Sequence, residues 1–299
     1  MHEHEERSGN PFQNTGYRDQ TDIELIEFAV AGRRESLEAL IKRHQPFIYN
    51  LAWKMVHDPD DAWDLTQEAL IKVVTNLAKF QKKSSFRTWL YRIVVNHFLE
   101  TKRRKRETFV SDFVRFGDNL DSIPNEEMDE MEQAENAAYI EEMKIQCMSG
   151  MLLCLNRDQR MVYILGEVFN ADHTIGSEIL DISKNNFRTR LSRARRDLYN
   201  FMNNKCGLVN KANPCRCRKK TRFAIDNGFM DPQNLKFNLG GEKRFNEVFA
   251  GRAEKADHVI DDKYMELFRS HRFSSTKDRE QFLEKILDDD SIRHLFDLG

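Results

Sequence analysis

Glycine and proline are scarce, at 13 and 6 of 299 residues. Turn-rich β architectures need both at their corners, so the shortage points to helices. No stretch approaches the ~20 consecutive apolar residues of a membrane span. The opening "MHEHEERSGNPFQ" is polar and has no apolar leader core. Five cysteines, an odd count in a chain without a leader, argue against a disulfide framework. A phosphate-cradling glycine loop and a serine nucleophile elbow are also missing. These absences predict a soluble, cytoplasmic, helical protein.

Charge of both signs is abundant. Charged residues make up 32%, the hydrophobic share is 40% and mean hydropathy is -0.69. The net charge of -2 conceals a segregation. From Asp118 to Met143 there are acids and no lysine or arginine, whereas from Lys184 to Arg222 cations recur and Asp197 is the only acid. A block of that kind suits a polyanionic partner.

Hydrophobic periodicity divides the chain. Residues 1–20 read as disordered. Thr21 and Glu24 form a capping box for a helix carrying Ile23, Ile26 and Val30. Leu37, Leu40, Ile41 and Phe47 mark a second helix. A third follows Pro59, with Ala62, Leu65, Ala69, Val73 and Leu77 on one face. The fourth, "FRTWLYRIVVNHF", keeps Phe86, Trp89, Leu90, Ile93 and Val94 at core spacing, while Arg87, Arg92 and Asn96 point elsewhere. Residues 21–106 thus form one helical domain. An acidic, weakly patterned linker covers 107–136. A second helical domain, 137–204, contains two short helices around a turn at Asp181 to Lys184, the outline of a helix-turn-helix. Residues 205–222 are a basic hinge with three cysteines, and 223–299 a helical, Phe-rich extension. The fold class expected is all-α, with two small domains, a linker and an extension.

The second helix of the helix-turn-helix, from about Asn185 to Tyr199, buries Phe187, Leu191, Ala194 and Leu198. It offers Asn185, Asn186, Arg188, Thr189, Arg190 and Arg193 at its start. Cations and amide side chains there can reach phosphates and base edges. Gly176, inside the preceding helix, costs about 1 kcal/mol relative to alanine and is expected to loosen it. After the fourth helix, Lys102, Arg103, Arg104, Lys105 and Arg106 suit a nucleic-acid backbone. Aromatics beside cations and a polar loop suit unpaired bases, although Trp89 itself reads as core.

"DPDDAWDLTQEALIKVVTNLAKF", "SSFRTWLYRIVVNHF", "TKRRKR" and "RLSRARRDL", in this order, resemble an extracytoplasmic-function (ECF) sigma factor of bacterial RNA polymerase. The resemblance covers residues 21–106 and 137–204. It implies binding to core polymerase and promoter DNA, with melting of a -10 element and reading of a -35 element, and no catalysis. It places Asp61, Asp64, Gln67 and Glu68 on the polymerase face. Phe80, the loop holding Lys82, Lys83, Ser84 and Ser85, Phe86, Arg92 and Asn96 fall to the -10 face. Arg188, Thr189, Arg190 and Arg193 fall to the -35 face. The acidic linker would lie in the RNA-exit path and mimic RNA's charge.

Other readings compete. His57-Asp58 resembles the paired ligands of helical phosphohydrolases, with Asp60, Asp61, Asp64 and His44 as further candidates, but acids at a helix start are better explained by the helix dipole. An adaptor that binds polymerase without opening DNA is the alternative function. Cys206, Cys215 and Cys217 are candidate zinc ligands, one short of four, unless His258 or His271 supplies the last. Otherwise they are reduced thiols or a redox pair. Cys147 and Cys154, seven apart, read as core. Phe223, Phe229, Phe237, Phe245, Phe249, Phe268, Phe273, Phe282 and Phe296 concentrate in the extension. With Leu267, Leu283, Ile286 and Leu295 they suit a small core, or a docking surface for an anti-sigma regulator or DNA-targeting partner.

Overall fold

The computed structural model describes residues 12, 19–110, 112–233, 235, 283–290 and 292–293. The expectations for most of the first 20 residues, for His258 and His271, for Phe237 to Phe282, and for Leu295 and Phe296 lie outside them. Among the described residues the architecture is all-α, as expected. The helices are α1 (Asp19–Val30), α2 (Arg34–Val56), α3 (Pro59–Thr75), α4 (Phe86–Glu100), α5 (Lys105–Phe109), α6 (Phe113–Ser122), α7 (Glu130–Glu135), α8 (Ala137–Cys154), α9 (Arg157–Tyr163), α10 (His173–Leu180), α11 (Lys184–Lys205) and α12 (Cys217–Asp226). A 3-10 turn covers Leu77–Lys79 and a π-helical turn Ile164–Val168.

The described residues divide into two compact units. One draws on 1–103, 164–189 and 272–299, the other on 104–163 and 190–271. This grouping cuts across chain order: α10 and the start of α11 belong with the N-terminal helices. The reason is packing of α10 on α4. Arg92 donates through Nε and Nη2 to the Glu178 carbonyl at 3.0 and 2.7 Å, and the ring of Tyr91 meets Phe169 at 6.5 Å.

In the first unit the apolar stripes close a shared core. Leu37, Leu40, Ile41, Ile48 and Leu51 of α2 are buried with Ala62, Leu65, Ala69 and Val73 of α3 and Phe86, Leu90, Val94 and Phe98 of α4. The α2–α3 corner has a local cause. His57 takes a left-handed conformation (φ 54°) that stops α2. Asp58 then caps α3, its Oδ1 accepting from the amides of Asp60 and Asp61 at 3.1 and 3.2 Å, with Pro59 in the first turn. His57 is buried edge-on against Trp53, 4.8 Å between centroids. Both members of the dipeptide therefore have structural roles. The Thr21–Glu24 box does not start α1, which begins two residues earlier at Asp19. Asp22 is instead fully buried. It accepts from His44 Nε2 at 2.8 Å and pairs with Arg43 Nε at 3.0 Å. Burial pushes the His44 pKa down, opposed by Asp22. Because Arg43 already compensates the Asp22 charge, a neutral His44 fits the site.

The second unit gives the acidic stretch more order than its pattern announced: α5, α6 and α7 all fall between residues 105 and 135. Glu107 is buried and receives Arg157 Nε and Nη2 at 2.9 and 2.6 Å and Arg160 Nη1 at 2.9 Å. Burial pushes its carboxyl up, but the Arg157 hydrogen bond and the Arg160 charge outweigh it and hold it below the usual range. Arg160 also donates to the carbonyls of Leu152, Leu153 and Leu155, closing the C-terminus of α8. The acids of the stretch answer the basic segment after α11. Asp121 pairs with Lys205, Glu127 with Lys219, and Glu132 with Arg222 at 2.6 Å. Lys220 is buried and donates to the carbonyls of Leu120 and Ile123, at the end of α6.

Gly176 is closely covered by a side chain from across the turn. A Cβ there would lie 2.3 Å from the ring of Phe187, so the missing side chain is what lets α11 approach. Helix propensity alone predicts that Gly176→Ala stabilises the protein by about 1 kcal/mol. The contact predicts a net loss, because overpacking costs roughly 1–3 kcal/mol. Denaturant unfolding of the full chain distinguishes the two; a gain in stability would show that Phe187 yields freely.

Candidate nucleic-acid and polymerase surfaces

The 3-10 turn and the loop to α4 hold a small aromatic ladder. Phe86 is fully buried, Phe80 meets it edge-on at 5.4 Å, and Trp89 lies 5.4 Å from Phe80 and 5.6 Å from Phe86. Phe86 is therefore core, not a contact surface, in this arrangement. Trp89 departs from the core reading the other way: it is half-buried. It borders a concavity of about 350 Å³ lined also by Lys72, Asn76, Lys79, Asn96 and Glu100. Asn96 is exposed there. Lys72, Asn76 and Lys79 were missed from the sequence. Lys72 stands in the last turn of α3 and Lys79 in the 3-10 turn that follows, so no single helical period announced the pair. Lys79 Nζ donates to Asn76 Oδ1 at 2.8 Å, fixing the amide at the rim.

The loop residues have mixed roles. Lys82 takes φ 56° and pairs with Glu27 at 2.7 Å, and Lys83 is exposed. Ser84 donates to the Ser85 carbonyl at 3.3 Å. Ser85 caps α4, accepting from the Thr88 amide at 3.1 Å, so its hydroxyl is committed to the helix. Arg92 is committed to Glu178, as described above. Of the residues assigned to this face, the concavity contains Asn96 alone; it does not contain Phe80 or the loop.

On α3 the residues assigned to polymerase form a polar stripe. Asp64 and Glu68 are exposed, and Asp61 and Gln67 half-buried. Glu68 accepts from the buried His97 at 3.1 Å. Burial lowers the His97 pKa and Lys72 lowers it further, against the pull of Glu68, so His97 is held neutral.

The helix-turn-helix is built from two caps and one left-handed residue. Asp172 caps α10, accepting from the amides of Thr174 and Ile175 at 2.6 and 3.0 Å. Asp181 takes φ 53° and ends it. Ser183 then accepts from the Asn186 amide at 3.1 Å at the start of α11. Helix α11 begins one residue before the expected start and runs to Lys205, beyond the expected end at Tyr199. Asn185, Arg188, Thr189 and Arg193 are exposed, and Asn186 and Arg190 half-buried. Arg188 Nη2 donates to His173 Nε2 at 2.6 Å, a partner on α10 that the sequence reading did not include.

Of the basic run, Lys102 and Arg103 are exposed, and Arg104 and Arg106 half-buried. The Lys105 side chain lies outside the described residues. None of the five cysteines is in a disulfide. Cys206 and Cys215 face each other across a single parallel bridge. As placed, no three or more His, Cys, Asp or Glu side chains among the described residues stand as a metal centre. No helix among the described residues is long and apolar enough to cross a membrane.

Residues 40–108 match the family Sigma-70 region 2, and residues 145–198 match Sigma-70, region 4. The chain is 30% identical over 183 residues to the ECF RNA polymerase sigma-E factor of Escherichia coli, covering 60% of this chain and 93% of that one. It is 30% identical over 166 residues to RNA polymerase sigma factor YlaC of Bacillus subtilis, covering 55% and 91%. A 96-residue match to the RNA polymerase sigma-H factor of Pseudomonas aeruginosa is 34% identical and spans 31% of this chain and half, 50%, of that protein.

Proposed function

The chain belongs to the ECF sigma factors of RNA polymerase, and on that premise we propose how its surfaces divide the work of promoter-directed initiation. The α3 stripe of Asp61, Asp64, Gln67 and Glu68 holds core polymerase. The concavity with Trp89, Asn96, Lys72 and Lys79 takes promoter DNA at the -10 element. The exposed start of α11, with Asn185, Arg188, Thr189 and Arg193, reads the -35 element. One observation carries the reading: a polar, cation-rimmed concavity adjoining an aromatic ladder. An extruded base needs a stacking face and edge hydrogen bonds, and backbone phosphates need cations. Arg92 stays outside this assignment while its guanidinium rests on Glu178. The C-terminal extension, on the aromatic content of its sequence, docks a regulator or a second DNA-targeting protein.

Reversing Asp64 with Asp64→Lys is expected to abolish or strongly weaken co-purification with core polymerase while the far-ultraviolet helical signal persists. The remaining binding weakens further as salt is raised, because exposed charges are screened. Undiminished assembly would reassign the stripe.

The double substitution Trp89→Ala with Asn96→Ala leaves assembly intact and lowers open-complex formation by about tenfold or more. Base stacking on an aromatic is worth roughly 1–3 kcal/mol, and each 1.4 kcal/mol is a factor of ten. Normal melting, read by reactivity of unpaired thymines, would remove this face from the mechanism. A wild-type protein that assembles yet never melts DNA would be the polymerase-binding adaptor instead.

A further inference from the structure

The three cysteines of the basic segment acquire a fourth neighbour that the sequence reading placed in the core. Cys147 is on α8, four residues after Met143 and so on the same helical face. Met143 is buried in one cluster with Ala224 and Met230, and Cys217 packs against that cluster. Cys217 is the first residue of α12. Cys206, near the end of α11, is paired by the backbone bridge with Cys215, two residues before Cys217. Three separate chain positions thus bring four thiols into one neighbourhood within the second unit. Their titration reflects it. Burial pushes Cys147 well above the usual thiol range, and Cys217, Cys206 and Cys215 each push it further. Burial likewise pushes Cys217 up to about 12, with Cys206 as the next cause.

We propose that Cys147, Cys206, Cys215 and Cys217 are the four ligands of a structural zinc ion that fastens α8, the end of α11 and the start of α12 together. Four is the number a closed structural site takes. As placed, the four thiols do not stand in ligand geometry. Closing the site therefore needs the four side chains to move together, with four protons released as the thiolates form.

Three further observations favour a metal over incidental burial. The first is Gly207. A Cβ there would lie 2.3 Å from the Cys215 carbonyl oxygen, and the Gly207 amide donates to that oxygen at 3.1 Å. The glycine is what lets the Cys206 backbone close on Cys215. The second is charge. A zinc ion with four thiolates carries two net negative charges, and two cations are built into the segment: Arg216, whose Nη1 donates to the Cys215 carbonyl at 2.9 Å, and Lys220, on α12 three residues after Cys217. The third is the loop itself. Leu208 is exposed there, and the loop is fixed by amides, with Asn210 and Asn213 donating to the Asn203 carbonyl at 3.1 and 2.8 Å. A segment of this kind needs a staple, and a metal is a common one.

The test uses the full chain purified from zinc-supplemented culture without chelator. Elemental analysis is expected to find about one zinc per chain, as a single closed four-ligand site requires. Those four thiols should resist alkylation until a strong chelator is added, and cobalt substitution should give the intense absorption of a tetrathiolate. Cys147→Ser should lose most of the zinc, whereas Cys154→Ser should keep it. If Cys147→Ser fails to fold, the alkylation contrast in the wild type still decides. Thiols that react equally with and without zinc would overturn the site. So would a Cys206–Cys215 disulfide in the purified protein, or full zinc retention by a folded Cys147→Ser.

Discussion

The ring of Phe187 lying on Gly176 is the contact on which the helix-turn-helix depends. Burying a phenylalanine side chain is worth roughly 1.5–3 kcal/mol. That exceeds the ~1 kcal/mol that glycine costs inside α10. The trade sets how closely α10 and α11 meet. With Asp181 in its left-handed turn and Ser183 capping α11, it fixes which residues at the start of α11 face outward. Asn185, Arg188 and Thr189 are exposed because Phe187 between them is not.

A second constraint is electrostatic. The pattern suggests a polyanion partner for the basic segment and an RNA-mimicking role for the acidic stretch, yet within the second unit the two meet each other, at Asp121–Lys205, Glu127–Lys219 and Glu132–Arg222. Exposed pairs of this type contribute only about 0–1 kcal/mol each. Their effect is more on which charges remain available than on stability. Glu107 is different. It is buried between two arginines, and removing one partner of such a group costs about 3–5 kcal/mol. It ties the helix that follows the basic run to the α8–α9 corner, so the last cations of that run stand on a fixed support.

Much of the fold was legible because helical periodicity and caps are local signals. The stripes of α2, α3 and α4, the Asp58–Pro59 restart and the turn near Asp181 could all be read from spacing. The remainder depended on contacts distant in sequence. Nothing near Asp22 announces that its carboxylate will be buried against His44. Gly176 looked like a defect until its neighbour was known. Cys147 looked like core because its helix is apolar, whereas the structure brings it toward Cys217. Trp89 fits a core spacing but lies at the margin of the core, where one edge of a large ring can remain in a concavity. For the surface residues the family resemblance supplied roles, and the structure supplied constraints on them: Ser85 is a cap, Phe86 is core, and Arg92 holds Glu178.

The central claim is that these surfaces together make an initiation factor. Its most direct test is reconstituted transcription with purified core RNA polymerase on templates carrying promoter regions selected by binding of the assembled holoenzyme. The account predicts initiation at defined start sites only when the protein is present. Start-site-independent background transcription, unchanged by adding a protein that is folded and bound to core, would contradict it.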